Sequence, residues 1–223
     1  HMAFARVNGV VLHHDVRGRP DGPALVFSNS LGTDFRIWDT VAATLGERYR
    51  IVLYDKRGHG LSEATPAPYR LIDHVNDLAA LLDHLGIQKA GVVGLSVGGL
   101  IAQGLAAMRP DSVAALVLCD TAHKIGTAEM WNARIEAVTR DGIAPLADGV
   151  MERWFTPAYR RPDNADFAGY TNMLVRQPAA GYAGTCAALR DADFTASTRA
   201  LKLPTLLIVG DQDRHCLGRV PVA

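Results

Sequence analysis

The stretch VVGLSVGG at positions 92–99 constrains this 223-residue chain more than any other. An apolar run that predicts a strand leads into a G-x-S-x-G pentapeptide with Ser96 at its centre, and a helical pattern follows at once. In so sharp a turn, side chains two residues before and two after the serine would collide, which accounts for Gly94 and Gly98. We therefore predict that Ser96 is a nucleophile. The alternative is a glycine-rich turn whose serine caps the helix.

The same turn predicts a pair of backbone donors beside the serine. It places the Ser96 hydroxyl at the amino end of a helix, where partial positive charge favours an oxyanion. A second donor is expected in the segment VFSNSLGTD, which follows an earlier strand. We predict an oxyanion hole formed by the backbone N–H groups of Leu31 and Val97. The alternative is an ordinary loop in which Thr33 or Asp34 caps the next helix.

An acidic partner for the serine is predicted near the end of the chain. The segment VGDQD follows the late apolar strand PTLLIV, and an acid is expected after the serine in the order Ser, acid, His. Asp213 is favoured over Asp211 because it lies further out on the turn. Asp120, at the end of VLCD, is the reserve candidate. The alternative for Asp213 is a solvated turn aspartate.

The segment YDKRGHGLS contains a histidine that could be taken for a catalytic base. Gly58 and Gly60 on either side of His59 instead predict a tight structural turn. We expect Asp55 and Arg57 to fix this turn through charge-assisted hydrogen bonds.

The order of apolar patterns predicts an α/β fold. An Asn8-Gly9 turn between two short β-like runs indicates a hairpin. Continuous apolar strands then alternate with helical stretches up to Cys119, a pattern typical of a parallel sheet covered on both faces. From about Lys124 to Arg199 only helical patterns occur, which indicates a helical insertion.

Composition excludes several classes of function. The chain has 23 basic and 23 acidic residues, which argues against a nucleic-acid or membrane-surface partner. No apolar run reaches the ~18 residues of a membrane span, and no basic segment followed by an apolar one opens the sequence. Three scattered cysteines without metal-ligand spacing suit reduced thiols. We expect a cytoplasmic protein that uses neither a metal nor a cofactor.

Taken together, these segments resemble the α/β-hydrolase family, and within it the 3-oxoadipate enol-lactonases. The resemblance runs from about Phe4 to Asp213. It rests on FSNSLGTDFRIWD, YDKRGHGLS, GLSVGG, TAHKIGTAEMWNARIEAV, ERWFTP and GYAGTCAALRDADF. It implies a mostly parallel sheet with helices on both faces and a helical lid. The implied division is a core over 3–123, a lid over 124–200 and a core continuation over 201–223.

The resemblance also implies a substrate, a small enol-lactone with one carboxylate that is opened through an acyl-enzyme. Such an anion needs a cationic contact in a mostly apolar pocket. Arg134, one helical turn from Trp131, and Lys124 are the candidates. Trp131 and Trp154 suit either the lid core or the pocket wall, and Arg134 could equally form a structural ion pair. The runner-up functions are a general carboxylesterase and a non-catalytic protein of the same fold.

Family members continue past the acid to a loop that bears the catalytic histidine, and this sequence has only His215 after Asp213. We therefore expect the C-terminal part of the fold to be missing, with His215 and His123 as outside candidates for the base. The strand over 205–210 would then form an exposed sheet edge, through which the chain could form oligomers.

Overall fold

The computed structural model of this chain describes residues 3–213, which form one mostly parallel sheet flanked by helices. The strands are β1 (Ala3–Val7), β2 (Val10–Gly18), β3 (Ala24–Ser28), β4 (Arg50–Tyr54), β5 (Ala90–Leu95), β6 (Val113–Cys119) and β7 (Thr205–Ile208). The helices are α1 (Asp39–Leu45), α2 (Leu71–His84), α3 (Val97–Met108), α4 (Ala128–Asp141), α5 (Ala147–Trp154), α6 (Ala165–Val175), α7 (Ala179–Asp191) and α8 (Thr195–Ala200).

The sheet has the strand order β1-β2-β4-β3-β5-β6-β7. The predicted hairpin is confirmed: β1 and β2 are antiparallel, and Asn8 and Gly9 between them have φ angles of 47° and 75°. Such positive angles at both turn residues suit the right-handed twist of hairpin strands. β2 runs antiparallel to β4, and the pairs from β4 through β7 are parallel.

The central strands are buried on both faces, as their continuous apolar runs predict. Val26 and Val52 belong to one hydrophobic cluster, whereas their neighbours Phe27 and Leu53 belong to another. Because successive side chains of a strand point to opposite faces, these are the two covered faces of the sheet.

The stretch between β6 and β7 contains helices α4 to α8 and no strand, which confirms the helical insertion. Thr127 caps the start of α4 by accepting a hydrogen bond from the Met130 amide at 3.2 Å. Tyr182 on α7 and Val138 on α4 belong to the same hydrophobic cluster as the strand residue Val26. The insertion therefore packs onto the core, and the three-part division inferred from the sequence remains a proposal. No helix among the described residues is both long and apolar enough to cross a membrane.

The last described strand, β7, lies at the edge of the sheet. Its side chains Leu206 and Leu207 are 56% and 51% exposed. An exposed apolar edge strand favours pairing with another strand. Self-association through this edge remains a prediction.

The turn after β4 is fixed by charged hydrogen bonds, which confirms the structural prediction for Asp55 and Arg57. The buried Asp55 carboxylate accepts hydrogen bonds from the Phe35 amide at 2.9 Å, the Leu61 amide at 3.0 Å and His13 Nδ1 at 2.7 Å. The carboxylate thus ties the turn to β2 and to the loop after β3.

Arg57 fastens the other side of the turn to α2. Its Nε and Nη2 atoms donate to both oxygens of Asp77 at 2.8 and 2.7 Å. The hairpin residue Asn8 donates to the same carboxylate at 2.8 Å. The side chain of Asp77 is 1% exposed and that of Arg57 14%, so this bidentate pair is buried. The Asp77 carboxylate raises the pKa of Arg57.

We expect Asp77→Ala to lower the free energy of unfolding by about 3–5 kcal/mol, because the buried Arg57 charge would lose its partner. The matched control is Asp83→Ala, since Asp83 is 59% exposed and pairs with Arg109 at the surface. That change should be worth less than about 1 kcal/mol. Urea unfolding of both variants tests this expectation, and equal losses would contradict it.

Candidate active site

Ser96 occupies the sharp turn between β5 and α3. Its φ of 55° and ψ of −116° lie in a region that non-glycine residues rarely adopt. A Cβ atom at Gly94 would collide with the backbone of Gly98, and one at Gly98 would collide with the Ser28 carbonyl. Two glycines are therefore required around the serine, as the sequence predicts. Strained backbone of this kind costs about 1–3 kcal/mol and is concentrated at functional sites.

The end of β6 holds the main chain of Ser96 on both sides. The Ser96 amide donates to the Cys119 carbonyl at 3.0 Å, and Thr121 Oγ1 donates to the Ser96 carbonyl at 2.6 Å. The strained turn is thus fixed by hydrogen bonds from a neighbouring strand, while the Ser96 side chain remains half-buried.

The two predicted oxyanion donors lie at the ends of neighbouring strands. β3 pairs with β5 up to Ser28 opposite Gly94, so the loop after β3 lies beside the Ser96 turn. Val97 is the first residue of α3, and its N–H therefore has no acceptor within the helix.

The loop after β3 also leaves the Leu31 amide available. The Gly32 amide donates to His59 Nε2 at 3.0 Å, and the Thr33 amide donates to the Ser30 carbonyl at 3.4 Å. Within residues 3–213, the Leu31 amide donates to no protein group. This pattern supports Leu31 as the second donor, a role that remains a prediction. The capping alternative is also realised, because Asp34 accepts a hydrogen bond from the Arg36 amide at 3.1 Å.

His59 supports this loop. It is fully buried, and because its Nε2 accepts the Gly32 N–H, the ring proton is assigned to Nδ1, which faces the Arg57 carbonyl at 3.3 Å. Burial and the nearby Lys56 charge hold the pKa of His59 well below its ordinary value. His59 is therefore a neutral structural group, in agreement with the prediction that it is not the base. Its hydrogen bond to the loop could not be seen in the sequence.

Lys56 makes a second contact that the sequence did not predict. Its side chain is buried, and Nζ donates to the Ser30 carbonyl at 2.6 Å. Its position between Asp55 and Arg57 was the available signal, because a lysine inside a buried turn must have an acceptor there.

Two carboxyl groups meet beyond β6 and β7. Asp213 lies in the turn after β7, where its amide donates to the Gly210 carbonyl at 3.0 Å, and it is more buried than Asp211. Asp120 accepts a hydrogen bond from the Gly210 amide at 2.9 Å. Burial and the neighbouring Asp213 carboxylate raise the pKa of Asp120.

Strand register brings these carboxyl groups to the same edge as the serine. Leu95 pairs with Cys119, which in turn pairs with Ile208. Ser96, Asp120 and the Asp213 turn thus follow three adjacent parallel strands. This placement fits Asp213 as the acid with Asp120 in reserve, and both roles remain predictions.

The base is not assigned by the described residues. His215 lies outside them. His123 follows β6, where its carbonyl accepts from the Phe194 amide at 2.9 Å. In residues 3–213, no imidazole hydrogen-bonds to the Ser96 hydroxyl.

Two arginines of the insertion lie near Tyr182. The Tyr182 ring packs against Gly32 and interacts with the Arg134 guanidinium, which also lies 5.4 Å from the centroid of the Trp131 ring. Burial and the nearby charge of Arg134 lower the pKa of Arg153. Neither arginine forms an ion pair with a carboxylate of the described chain.

The other predicted substrate contacts have protein partners. Lys124 lies 3.6 Å from Asp193 in an exposed ion pair. Trp131 is buried and its Nε1 donates to the Ile125 carbonyl at 2.7 Å, while Trp154 is half-buried against the hydrophobic cluster. Of the predicted cations, Arg134 is therefore the best placed to contact a substrate. The structure adds Arg153, which was not predicted from the sequence, as a second candidate.

Comparison with known proteins agrees with this geometry. Residues 23–215 match the family described as the alpha/beta hydrolase fold. The chain is 39% identical to 3-oxoadipate enol-lactonase 2 of Acinetobacter baylyi over 204 residues, which cover 92% of this chain and 76% of that protein.

Solved structures show the same similarity. An enol-lactonase from Burkholderia xenovorans LB400 superposes with a TM-score of 0.91 at 38% identity, covering 94% of this chain and 81% of that chain. A thermophilic esterase from Thermogutta terrifontis gives a TM-score of 0.87 at 25% identity, with coverages of 94% and 80%. The family match spans most of the chain, and it accords with the serine turn and the sheet order: this chain belongs to the α/β-hydrolase family and is a hydrolase.

Proposed function

We propose that this protein opens a small, carboxylate-bearing enol-lactone, converting 3-oxoadipate enol-lactone to 3-oxoadipate, with Ser96 as the nucleophile. The observation that carries the proposal is the strained Ser96 turn beside two amides, Leu31 and Val97, that lack protein acceptors within the described chain. Two enol-lactonases of Acinetobacter baylyi, 39% and 37% identical to this chain, support the choice of substrate class.

The mechanism proceeds through an acyl-enzyme. A histidine base takes the Ser96 proton as Oγ attacks the lactone carbonyl, and the Leu31 and Val97 amides stabilise the tetrahedral oxyanion. The carbon–oxygen bond of the ring breaks as the histidine gives the proton to the leaving oxygen, and the resulting enol tautomerises to a ketone. Water then hydrolyses the acyl-enzyme and regenerates Ser96. Asp213 orients the histidine, which the family's order places after the acid.

Arg134 and Arg153 are proposed to bind the substrate carboxylate. A guanidinium can bind a carboxylate through two parallel hydrogen bonds, and it retains its charge when buried. Burial and, to a lesser extent, the nearby Arg134 charge lower the pKa of Arg153, so the two like charges repel each other. A bound carboxylate would relieve that repulsion. The Tyr182 ring connects this cationic pair to the loop that carries Leu31.

A general carboxylesterase is the second candidate, favoured by the similarity to the Thermogutta esterase. Relative turnover of the enol-lactone and of p-nitrophenyl acetate distinguishes the two. A non-catalytic role requires that Ser96 be unreactive, so absence of labelling by a fluorophosphonate would favour it.

Ser96→Ala should abolish hydrolysis of the enol-lactone while leaving the fold intact. Loss of a catalytic serine typically lowers kcat by at least about 10⁴-fold. Steady-state turnover and circular dichroism measure the two effects. Ser112→Ala, on the short segment before β6, is the matched control and should retain activity. If Ser96→Ala kept more than a few per cent of the activity, the nucleophile assignment would be wrong.

Arg134→Met should raise KM for the carboxylate-bearing lactone by about 10- to 100-fold, the equivalent of one charge-assisted hydrogen bond. KM for the neutral methyl ester of the same lactone should change far less, because it lacks the anion. Arg140→Met is the control, since Arg140 lies on the same helix with a side chain 66% exposed. If Arg134→Met changed KM equally for both substrates, Arg134 would have a structural role.

A further inference from the structure

The fold alone does not explain why the Lys56 side chain is buried. Its side chain is among the largest that are fully buried, with 1% of the residue exposed. Within residues 3–213, the Ser30 carbonyl is the one hydrogen-bond acceptor of its Nζ atom. Burial of an ammonium group is unfavourable, and a methionine of similar length would fill the space without that cost. The position of the charge therefore calls for another reason.

The reason lies in the peptide group that Lys56 contacts. The Ser30 carbonyl and the Leu31 N–H belong to the same planar trans peptide, so they point in opposite directions. A donor held 2.6 Å from that oxygen restricts rotation of the whole peptide. It thereby sets the direction in which the Leu31 N–H points.

We propose that Lys56 is a positioning residue for the oxyanion hole, acting through the Ser30–Leu31 peptide. The Nζ donor on the carbonyl side fixes the orientation of the Leu31 N–H, and in its charged form it also polarises the peptide, which makes that N–H a stronger donor. This inference rests on the oxyanion role of Leu31 in the proposed function.

The rest of the loop supports the same arrangement. Thr33 Oγ1 donates to the same Ser30 carbonyl at 2.9 Å, and Asn29 Nδ2 donates to the Thr33 carbonyl at 2.7 Å. His59 accepts the Gly32 N–H at 3.0 Å and so removes the next amide from competition. These hydrogen bonds fix the loop while the amide of Leu31 has no protein acceptor in the described chain.

The charges around Lys56 have other partners as well. Asp55 and Asp34 stabilise its charge, while burial, the larger effect, lowers the pKa of Lys56 to about 7. Asp55 also binds His13, and Asp34 binds Arg36 through two oxygens. Removal of the lysine charge would therefore leave no carboxylate without a partner. A neutral amine would also still donate to the Ser30 carbonyl.

The test is Lys56→Met, with Lys89→Met at an exposed position as the matched control. We expect kcat for the enol-lactone and the rate of Ser96 phosphonylation by a fluorophosphonate to fall by at least about tenfold. That loss would approach the ~10²–10³ that removal of an oxyanion donor costs. KM should stay nearly constant, and Tm should be unchanged or higher, because a buried charge is replaced by an apolar chain.

A second measurement does not depend on activity. In protein labelled with ¹⁵N-leucine, the NMR resonance of the Leu31 amide should change its chemical shift in Lys56→Met, and the amide hydrogen should exchange faster with solvent. Neither change should occur in Lys89→Met. Should Lys56→Met fail to fold, Thr33→Val removes a donor from the same carbonyl and should change the Leu31 signal and kcat in the same direction.

Two results would overturn the inference. One is an unchanged Leu31 signal together with unchanged kcat. The other is a loss of activity accompanied by a lower Tm and a raised KM. That result would mean that Lys56 has only a structural role. If the proposed lactonase activity is wrong, the unsubstituted protein will not turn over the enol-lactone. The Leu31 signal would still show whether Lys56 orients that amide.

Discussion

Close approach of backbones at the Ser96 turn is the constraint on which the rest of the site depends. Gly98 at the start of α3 lies so near the Ser28 carbonyl that no side chain fits between them. Ser28 ends β3, and the loop that carries Leu31 begins there. The contact that allows the sharp turn therefore also sets the distance between Ser96 and the loop that carries Leu31.

The parallel sheet extends this arrangement to the acid. Because β5, β6 and β7 run in the same direction and in register, the residues that follow them meet at one edge. Val92 of β5 and Leu116 of β6 lie in one hydrophobic cluster and Val93 of β5 packs in the other, so the strands that lead to this edge from the centre of the sheet are covered. A nucleophile, an acid and a backbone donor can thus come from sequence positions more than 180 residues apart.

Local patterns predicted the fold and the sharp turn at Ser96 because their causes are local. The Asn8-Gly9 hairpin, the glycines around Ser96 and the helices between β6 and β7 each follow from a few neighbouring residues. Contacts between residues that are distant in the sequence leave little trace in any local pattern. Lys56 lies beside two charged residues in a polar-looking segment, and Arg153 resembles any surface arginine until its proximity to Arg134 on α4 is known. Their roles depend on burial and on neighbours that only the tertiary structure supplies.

Unfavourable local features converge on the site and are balanced elsewhere. Ser96 has strained backbone angles, Lys56 is a buried cation, and Arg134 and Arg153 carry like charges close together. Away from the site, arginines such as Arg57, Arg36 and Arg109 are paired with carboxylates. Each feature at the site would be removed if stability alone determined the sequence. Under the proposed function, each supplies something that hydrolysis of an anionic lactone requires: a nucleophilic hydroxyl, a fixed oxyanion donor and a positive charge for the carboxylate.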